Sequence, residues 1–459
     1  MKNPSKPRSE KQLRDDALAI WQAGVDAVRP ANLIPEWVSV QNETLLIGDL
    51  ELALPQIRRI AVVGVGKAGA GMAVALEQAL GPKLMAEKRL EGWVNVPADC
   101  IEPTQRIHLH PARPAGVNEP TTEAVSGTQE ILNLVSSLDE NDACLCLVSG
   151  GGSAMLPMPI EGISLEDKVA LTREMSASGA TIQQMNLVRR SLSQVKGGGL
   201  ARACRAGRMI SLILSDVLGD DLNSIASGPT VACGDESAEA VKMLETLGLT
   251  GSEHGQRAVA AIKSINGSKI MEPTAEVTNL VIGNNATAVD AAGVVAERLG
   301  YSHAMTSARE PEGAAEEIGR HLANMASTMR QNFDKTESGP DCLISGGEPV
   351  VKLAPKEKRG RGGRNQQLCL AALDHLNDWK GIALLSGGTD GEDGPTDAAG
   401  AIVTETIARQ AKEKGLEPTD YLQRNDAYSF FEELNSLVKT GPTNTNVCDL
   451  RVITTSQGV

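Results

Sequence analysis

Residues 386–401 read SGGTDGEDGPTDAAGA and follow the apolar run IALL at 382–385. Five glycines and one proline share this stretch with four carboxylates, Asp390, Glu392, Asp393 and Asp397. Dense glycine lets a backbone wrap an anion, whereas acidic side chains repel one. A magnesium–phosphate complex reconciles the two, because the metal takes carboxylates and the phosphate oxygens take backbone amides. A calcium loop and a solvated surface turn are the plainer alternatives. The spacing of acids and glycines is out of register with an EF-hand.

Four further stretches carry residue types that fit the same chemistry. GVGKAG at 64–69 matches the G-x-G-x-x-G dinucleotide pattern between an apolar run and a helical stretch. Lys67 inside it places a cation among amides that would face a pyrophosphate, and Asp99 comes late for the ribose-binding acid. The loop therefore reads first as a presented, active Lys67, second as a tight turn, third as a nucleotide fingerprint. SGGGSA at 149–154 can form a phosphate nest from Ser149, Gly150, Gly151, Gly152 and Ser153, or be an ordinary flexible loop. QVKGGGLARACRAG at 194–207 sets Lys196, Gly197 and Gly198 at an expected helix start, which suits an anion, or a solvated lysine before a cap. LSDVLGDDLNSIASGPT at 214–230 gathers Asp216, Asp220 and Asp221. Such acids suit magnesium, and for the last two a surface turn is at least as good a reading. The basic segment from Lys352 to Arg364 lacks the aromatics of a single-strand binder. It reads mostly as a mobile solvated loop, with Arg364 set apart at a helix start, where a guanidinium can grip a carboxylate or phosphate.

These loops need strands to aim them. Six apolar runs, from residues 60, 144, 211, 279, 342 and 382, each end in Gly, Ser, Asp or Asn. Short continuous apolar runs of this kind predict strands buried on both faces. Helical patterns lie between them, one opening at Ser164 and closing at Gly179, another ending at Gly300. The alternation predicts doubly wound α/β sheets, whose ligands bind beyond the strands' carboxyl ends. A Gly- and Pro-containing stretch at 265–278 is the expected linker, dividing domains at 1–270 and 271–459.

The bulk composition narrows the partners. Apolar residues make up 41% of the 459 and aromatics only 2%, so the core must be aliphatic. A net charge of −14 disfavours nucleic acid and anionic membranes. The eight cysteines form no C-x-x-C pair, and the polar N-terminus has no secretory h-region, so a cytoplasmic protein with reduced thiols is expected. His108 and His110 read as packed or solvated loop residues. No Walker A or protein-kinase motif occurs.

Taken together, GVGKAG, VSGGGSA, VKGGGLA, LSDVLGDDLNSIASGPT, SGGEPVV, GRGGRNQQL, LSGGTDGEDGPTDAAGA and GPTNTNVCDL make the chain resemble the MOFRL-type, or class II, glycerate kinases from about residue 12 to 457. The resemblance implies ATP- and magnesium-dependent phosphorylation of D-glycerate at position 2. It also implies a Rossmann-like N-terminal α/β domain and a smaller C-terminal α/β domain with a mixed sheet. Lys67 and Arg364 match the family's functional lysine and arginine, so both are expected to be catalytic. Substrate is expected at Lys67, Gly347, Glu348, Arg364 and Thr389, and ATP at Ser149–Ser153, Lys196, Gly197 and Gly198. Asp216 and Asp390 are expected to hold magnesium, or one of them to accept the hydroxyl proton, with Asp393 and Asp397 supporting the loop. A monomer or homodimer without nucleic-acid or membrane partners is expected. The competing readings are an NAD(P)-dependent hydroxypyruvate reductase and a non-catalytic protein that senses a phosphorylated metabolite.

Overall fold

A computed structural model describes residues 7–114, 119–265, 272–336 and 339–456. It divides into two compact units, Pro30–Ile282 and a second made of Met1–Arg29 with Gly283–Val459.

The Pro30–Ile282 unit opens with a three-stranded antiparallel meander, β1 (Val38–Gln41), β2 (Thr44–Ile47) and β3 (Leu50–Ala53). Six more strands follow: β4 (Arg59–Val65), β5 (Glu91–Pro97), β6 (Ile107–Arg113), β7 (Asp142–Ser149), β8 (Arg208–Leu214) and β9 (Glu276–Gly283). They lie in the order β6-β5-β4-β7-β8-β9. The β4–β5, β4–β7, β5–β6 and β7–β8 pairs are parallel. Counted from β4, this is the Rossmann order 3-2-1-4-5-6, which reverses direction between β4 and β7. The loops after those two strands, 66–68 and 150–151, therefore sit at the switch point where such sheets bind ligands. The core beside this sheet is aliphatic as composition requires, with Val63, Val65, Ile131, Cys146, Val148 and Ile213 buried.

In the other unit, β10 (His303–Ser307), β11 (Cys342–Gly347), β12 (Ile382–Gly388), β13 (Gly400–Thr404), β14 (Leu437–Val438) and β15 (Asp449–Thr455) form a sheet ordered β10-β11-β15-β12-β13-β14. Only the β10–β11 pair is parallel, so the sheet is mixed. All seven residues of β15 are buried between β11 and β12.

All six predicted runs are strands, and the helices predicted between them form. Ser164 caps the helix Leu165–Ala177 by accepting from the Asp167 amide, and Gly179 follows it at φ +77°. The expected boundary at 270/271 differs from the observed division at Ile282/Gly283. The reason is β9, which pairs with β8 and completes the first sheet although it lies beyond the Gly- and Pro-containing stretch. Residues 266–271 of the expected linker lie outside the described residues. The first helix, Glu10–Ala27, belongs to the C-terminal unit, where Trp21 and Ile20 are buried with Val289, Leu450 and Val452.

Three of the apolar runs carry Ser-Gly-Gly, at the end of β11 and of β12 and leaving β7, and packing explains three of these six glycines. A Cβ on Gly387 would meet the Trp21 ring, whose Nε1 donates to the Gly387 carbonyl at 3.3 Å. A Cβ on Gly346 would collide with the Asn285 amide, which donates to the Val447 and Asp449 carbonyls. A Cβ on Gly347 would collide with Glu312, the bidentate partner of buried Arg451. Close approach of a neighbouring side chain, rather than of a ligand, is the requirement at all three positions.

Candidate active site

At the switch point of the parallel sheet two loops fasten to each other. The Lys67 amide donates to the Gly150 carbonyl at 2.9 Å, and the Ala68 amide to the Ser149 hydroxyl at 3.0 Å. The Gly66 amide bonds to Asn95 O, and the Gly69 amide to Gly66 O. Gly66 itself sits at φ +128°, and a Cβ there would strike the Ser149 hydroxyl. Every amide from 66 to 69 thus has a protein acceptor. A dinucleotide fingerprint instead leaves such amides for the pyrophosphate. What this loop presents is the Lys67 side chain, which passes Gly151 at a distance of 3.4 Å from a Cβ placed there. Arg113 at the end of β6 lies beside the same glycine, 3.7 Å from that Cβ position.

The 149–153 loop divides in two. Ser149 is fully buried and its hydroxyl accepts from the Ala68 amide, so it ties down the Lys67 loop. Beyond it Gly151 is left-handed at φ +74°. Among the described residues no backbone carbonyl accepts from the amides of Gly150, Gly151 or Gly152. These three amides keep the character of a nest. Ser153 is engaged by Lys196, whose Nζ donates to Ser153 O at 2.8 Å and to Ser153 Oγ at 2.5 Å. Ser153 Oγ also lies 3.0 Å from Ser227 Oγ. Lys196 is 5% exposed. Burial, then the nearby charges of Lys168 and Arg189, hold its ammonium well below the usual lysine value.

Gly197 and Gly198 do not match the expectation placed on them. Their amides donate to Ser227 O and Gly228 O at 3.0 and 2.7 Å, and the helix they precede, Gly199–Ala203, has only five residues. They join two loops instead of offering donors to a phosphate. Of the acids after β8, Asp221 accepts from Ser224 Oγ and the Asn223 amide and so closes its own turn. Asp216 follows buried Ser215 directly beyond the strand and is half-buried.

In the C-terminal unit the centre is Arg364, first residue of the helix Arg364–His375. Its Nε and Nη2 hold Asp449 bidentately at 2.7 and 3.1 Å, and its Nη1 donates to Glu348 Oε1 at 2.9 Å. Burial opposes the guanidinium charge, but Asp449 and Glu348 outweigh it and raise its affinity for the proton. Burial, with Asp449 and Asp390 adding to it, pushes the Glu348 carboxyl above its ordinary value. Asp390 lies close by, since a Cβ on Gly388 would be 3.0 Å from Asp390 Oδ1 and 3.6 Å from Asp449 Oδ1.

The four acids of the 386–401 stretch therefore have different duties. Asp390 joins the Arg364 cluster, and Glu392 is exposed. Asp393 is buried under the Arg364 helix, accepting from the Asn365 and Gln366 amides at 3.0 and 2.8 Å. Asp397 is exposed and tied to Tyr428 and Lys439. Thr389, expected to touch substrate, is fully buried. Its hydroxyl donates to Cys448 O and accepts from the Val447 amide, so it secures the 447–449 segment. Of the other two residues expected at the substrate, Glu348 pairs with Arg364, while Gly347 admits Glu312, the partner of Arg451.

Among the described residues no three His, Cys, Asp or Glu side chains form a metal-holding group. The basic segment is not loose: the Arg359 guanidinium donates to Ala354 O, and Arg361 stacks on Tyr428 at 4.2 Å. His108 packs on Trp93 at 4.1 Å, on a strand two removed from β4. Sequence reasoning missed Arg113, Asp449, Ser227, Lys168 and Arg189. Ser227 and Asp449 lie inside LSDVLGDDLNSIASGPT and GPTNTNVCDL, at positions given no role from sequence, and Arg113, Lys168 and Arg189 lie outside every glycine-rich motif.

Known proteins resemble the chain over nearly its whole length. Residues 16–263 match a family described as a domain of unknown function (DUF4147), and residues 341–449 match the MOFRL family. The chain is 35% identical to a glycerate kinase of Danio rerio over 96% of this chain and 97% of that one. It is 36% identical to a D-glycerate 2-kinase of Thermotoga maritima, over 97% and 98% of the two chains. A crystal structure of glycerate kinase from Thermotoga maritima superposes with a TM-score of 0.79 at 35% identity, covering 97% of this chain and all of that one.

Proposed function

We propose that this chain, which belongs to the MOFRL-type glycerate kinase family, transfers the γ-phosphoryl group of ATP to the 2-hydroxyl of D-glycerate. The observation that carries this reading over the reductase is the Lys67 loop. Its amides are all bonded within the protein, so it offers a cation and not a pyrophosphate cradle. Phosphoryl transfer asks the protein for positioning and charge neutralisation more than for covalent help. A lysine aimed past a glycine nest meets that demand.

The Gly150–Gly152 amides and the Lys196–Ser153–Ser227 group suit phosphate oxygens, and Lys67 suits the charge of the phosphoryl in transfer. Arg364 suits the glycerate carboxylate. Asp449 fixes one edge of its fork, while Glu348, 43% exposed, is the partner a substrate carboxylate can replace.

Magnesium fits as an ion that arrives with the nucleotide. Magnesium usually keeps several waters and takes only one or two carboxylates beside the phosphates. Asp390 and Asp216 are hard oxygen donors of that kind. The ion would neutralise the phosphate charge. Whichever of the two aspartates does not touch it is left to accept the hydroxyl proton. A cytoplasmic location and a monomer or homodimer without nucleic-acid or membrane partners complete the reading. Among the described residues no helix is long and apolar enough to cross a membrane.

Incubation with D-glycerate, ATP and magnesium, followed by phosphorus NMR, tests it. The expected result is ADP with a phosphoglycerate resonance coupled to the single proton on carbon 2. NADH oxidation with hydroxypyruvate, and no phosphoglycerate, would replace the kinase with the reductase.

A further inference from the structure

Three cations converge in the Pro30–Ile282 unit without a counter-ion. Lys168 comes from the helix Leu165–Ala177, Arg189 from the helix Ile182–Ser191, and Lys196 from the turn before Gly199–Ala203. Among the described residues no carboxylate lies within ion-pair distance of any of them, although the adjoining Arg190 and Asp167 both have ion partners. Arg190 holds Glu236 at 2.6 Å, and Asp167 is taken by Arg257 at 2.7 Å. The three are instead held by neutral oxygens: Lys168 Nζ by Leu192 O at 2.7 Å, Lys196 Nζ by Ser153, and Arg189 weakly by Asn186 Oδ1 at 3.4 Å. Lys196 is buried and Lys168 and Arg189 are half-buried, and cations so desolvated normally have partners, because water no longer stabilises the charge. A natural chain that gathers three of them, and supplies acids only to the flanking ones, leaves a place for an anion.

The backbone beside them is also held under strain. Ala226, Ser227 and Gly228 are successive left-handed residues at φ +51°, +64° and +62°. For Ala and Ser this conformation is unfavourable and persists where the surroundings demand it. Here it turns the Ser227 hydroxyl onto Ser153 Oγ, beside Lys196.

We infer that Lys168 and Arg189, with Lys196 and the Ser153–Ser227 pair, form the seat of the nucleotide's phosphate chain, so that two helices outside the glycine motifs carry phosphate-binding residues. The inference rests on the kinase reading for the identity of the anion. The shared chemistry is a phosphate oxyanion, which the phosphorylated product would also supply.

Burial, then the charge of Arg189, lowers Lys168 to about 7, and Lys196 is lowered as well. The charged groups facing these amines are each other and Arg189. The loops after β7 and β8 present the neutral Ser153 and Ser227 to Lys196. Above pH 7 the empty site is thus short of protons, and a bound polyphosphate restores them. Ligand binding at pH 8 must then take up protons, which a merely structural role for Lys168 would not produce.

The test is calorimetric titration of the full chain with ADP, inorganic tripolyphosphate and 2-phosphoglycerate at pH 8, in two buffers of different ionisation enthalpy. Lys168→Met and Arg189→Met are compared with wild type, and Lys168→Arg serves as the charge-restoring variant. ADP and tripolyphosphate affinity should fall at least about tenfold in each Met variant and recover in Lys168→Arg. Proton uptake should be present in wild type and reduced in Lys168→Met. Unchanged melting temperatures, or higher ones, would show that the fold is retained. ADP affinity within twofold of wild type in both folded Met variants would overturn the site, as would a loss confined to 2-phosphoglycerate. If wild type forms no phosphoglycerate but binds tripolyphosphate in a Lys168-dependent way, the kinase reading falls and the anion seat stands.

Discussion

Arg364 is held unequally by its two carboxylates. Asp449 has no exposed side-chain surface, whereas Glu348 is 43% exposed, so one edge of the guanidinium is fixed and the other is exchangeable. Lysine at this position keeps the charge and loses the fork. Arg364→Lys should therefore lower kcat/KM for glycerate by about 10²-fold. Arg364→Ala should in addition cost about 3–5 kcal/mol, because it strands a buried aspartate. Lys67 differs, since its loop is built from backbone bonds that do not use the amine. Lys67→Ala should keep the fold and lose about 10²-fold or more in kcat. Initial rates and thermal melts on the three variants separate these cases. Near wild-type turnover in Lys67→Ala or Arg364→Ala would remove that residue from the mechanism.

The elements that aim these residues are strand–loop–helix devices, and the one around Arg364 is sensitive to pH. Asp393, from the loop after β12, accepts two amides in the first turn of the helix that Arg364 opens. Burial nevertheless raises its carboxyl to about 7, the Asn365 and Gln366 amides and Arg364 opposing without prevailing. A folded value above the unfolded one means that the native state holds a proton the unfolded chain has released. The stability this contributes is complete below about pH 4 and is lost as pH rises through about 7. Asp393→Asn should therefore have a flatter melting profile between pH 4 and 7 than wild type, with the wild type gaining relative stability toward the acid side. Parallel profiles would place the charge elsewhere. This device also shows what was legible beforehand. The six apolar runs announced six strands because parallel or central strands are hydrophobic throughout. Ser164 and Gly179 likewise marked a helix by local chemistry alone. The buried centre of the mixed sheet, β15, was not seen, although DLRVITT is rich in β-branched residues. It carries Asp449 and Arg451, charges that a buried strand holds only because Arg364 and Glu312 neutralise them. Thr389, Gly197 and Gly198 were given ligands because their types suit ligands, and only tertiary hydrogen bonds show them already occupied.

On the scale of the whole chain, sequence order and folding unit disagree at the N-terminus. The helix Glu10–Ala27 precedes the parallel sheet in sequence but supplies core to the mixed sheet. Leu13, Ala17, Ile20, Trp21 and Val25 are at most 1% exposed there. The Thr454 hydroxyl donates to Leu13 O, and the Thr445 hydroxyl to Val28 O. A buried Leu, Ile or Val is worth about 1.5–3 kcal/mol, against a total of about 5–15 kcal/mol for an ordinary domain. Removing the helix therefore takes away a large part of what holds the C-terminal unit together, and it uncovers the Gly387 notch made for Trp21. Residues 283–459 expressed alone should be insoluble or lack a cooperative melt. The same segment with residues 7–29 supplied in trans should fold, with Trp21 fluorescence shifting to the blue as the ring becomes buried. A cooperative melt of 283–459 without the peptide would show that the helix only decorates a sheet already stable by itself.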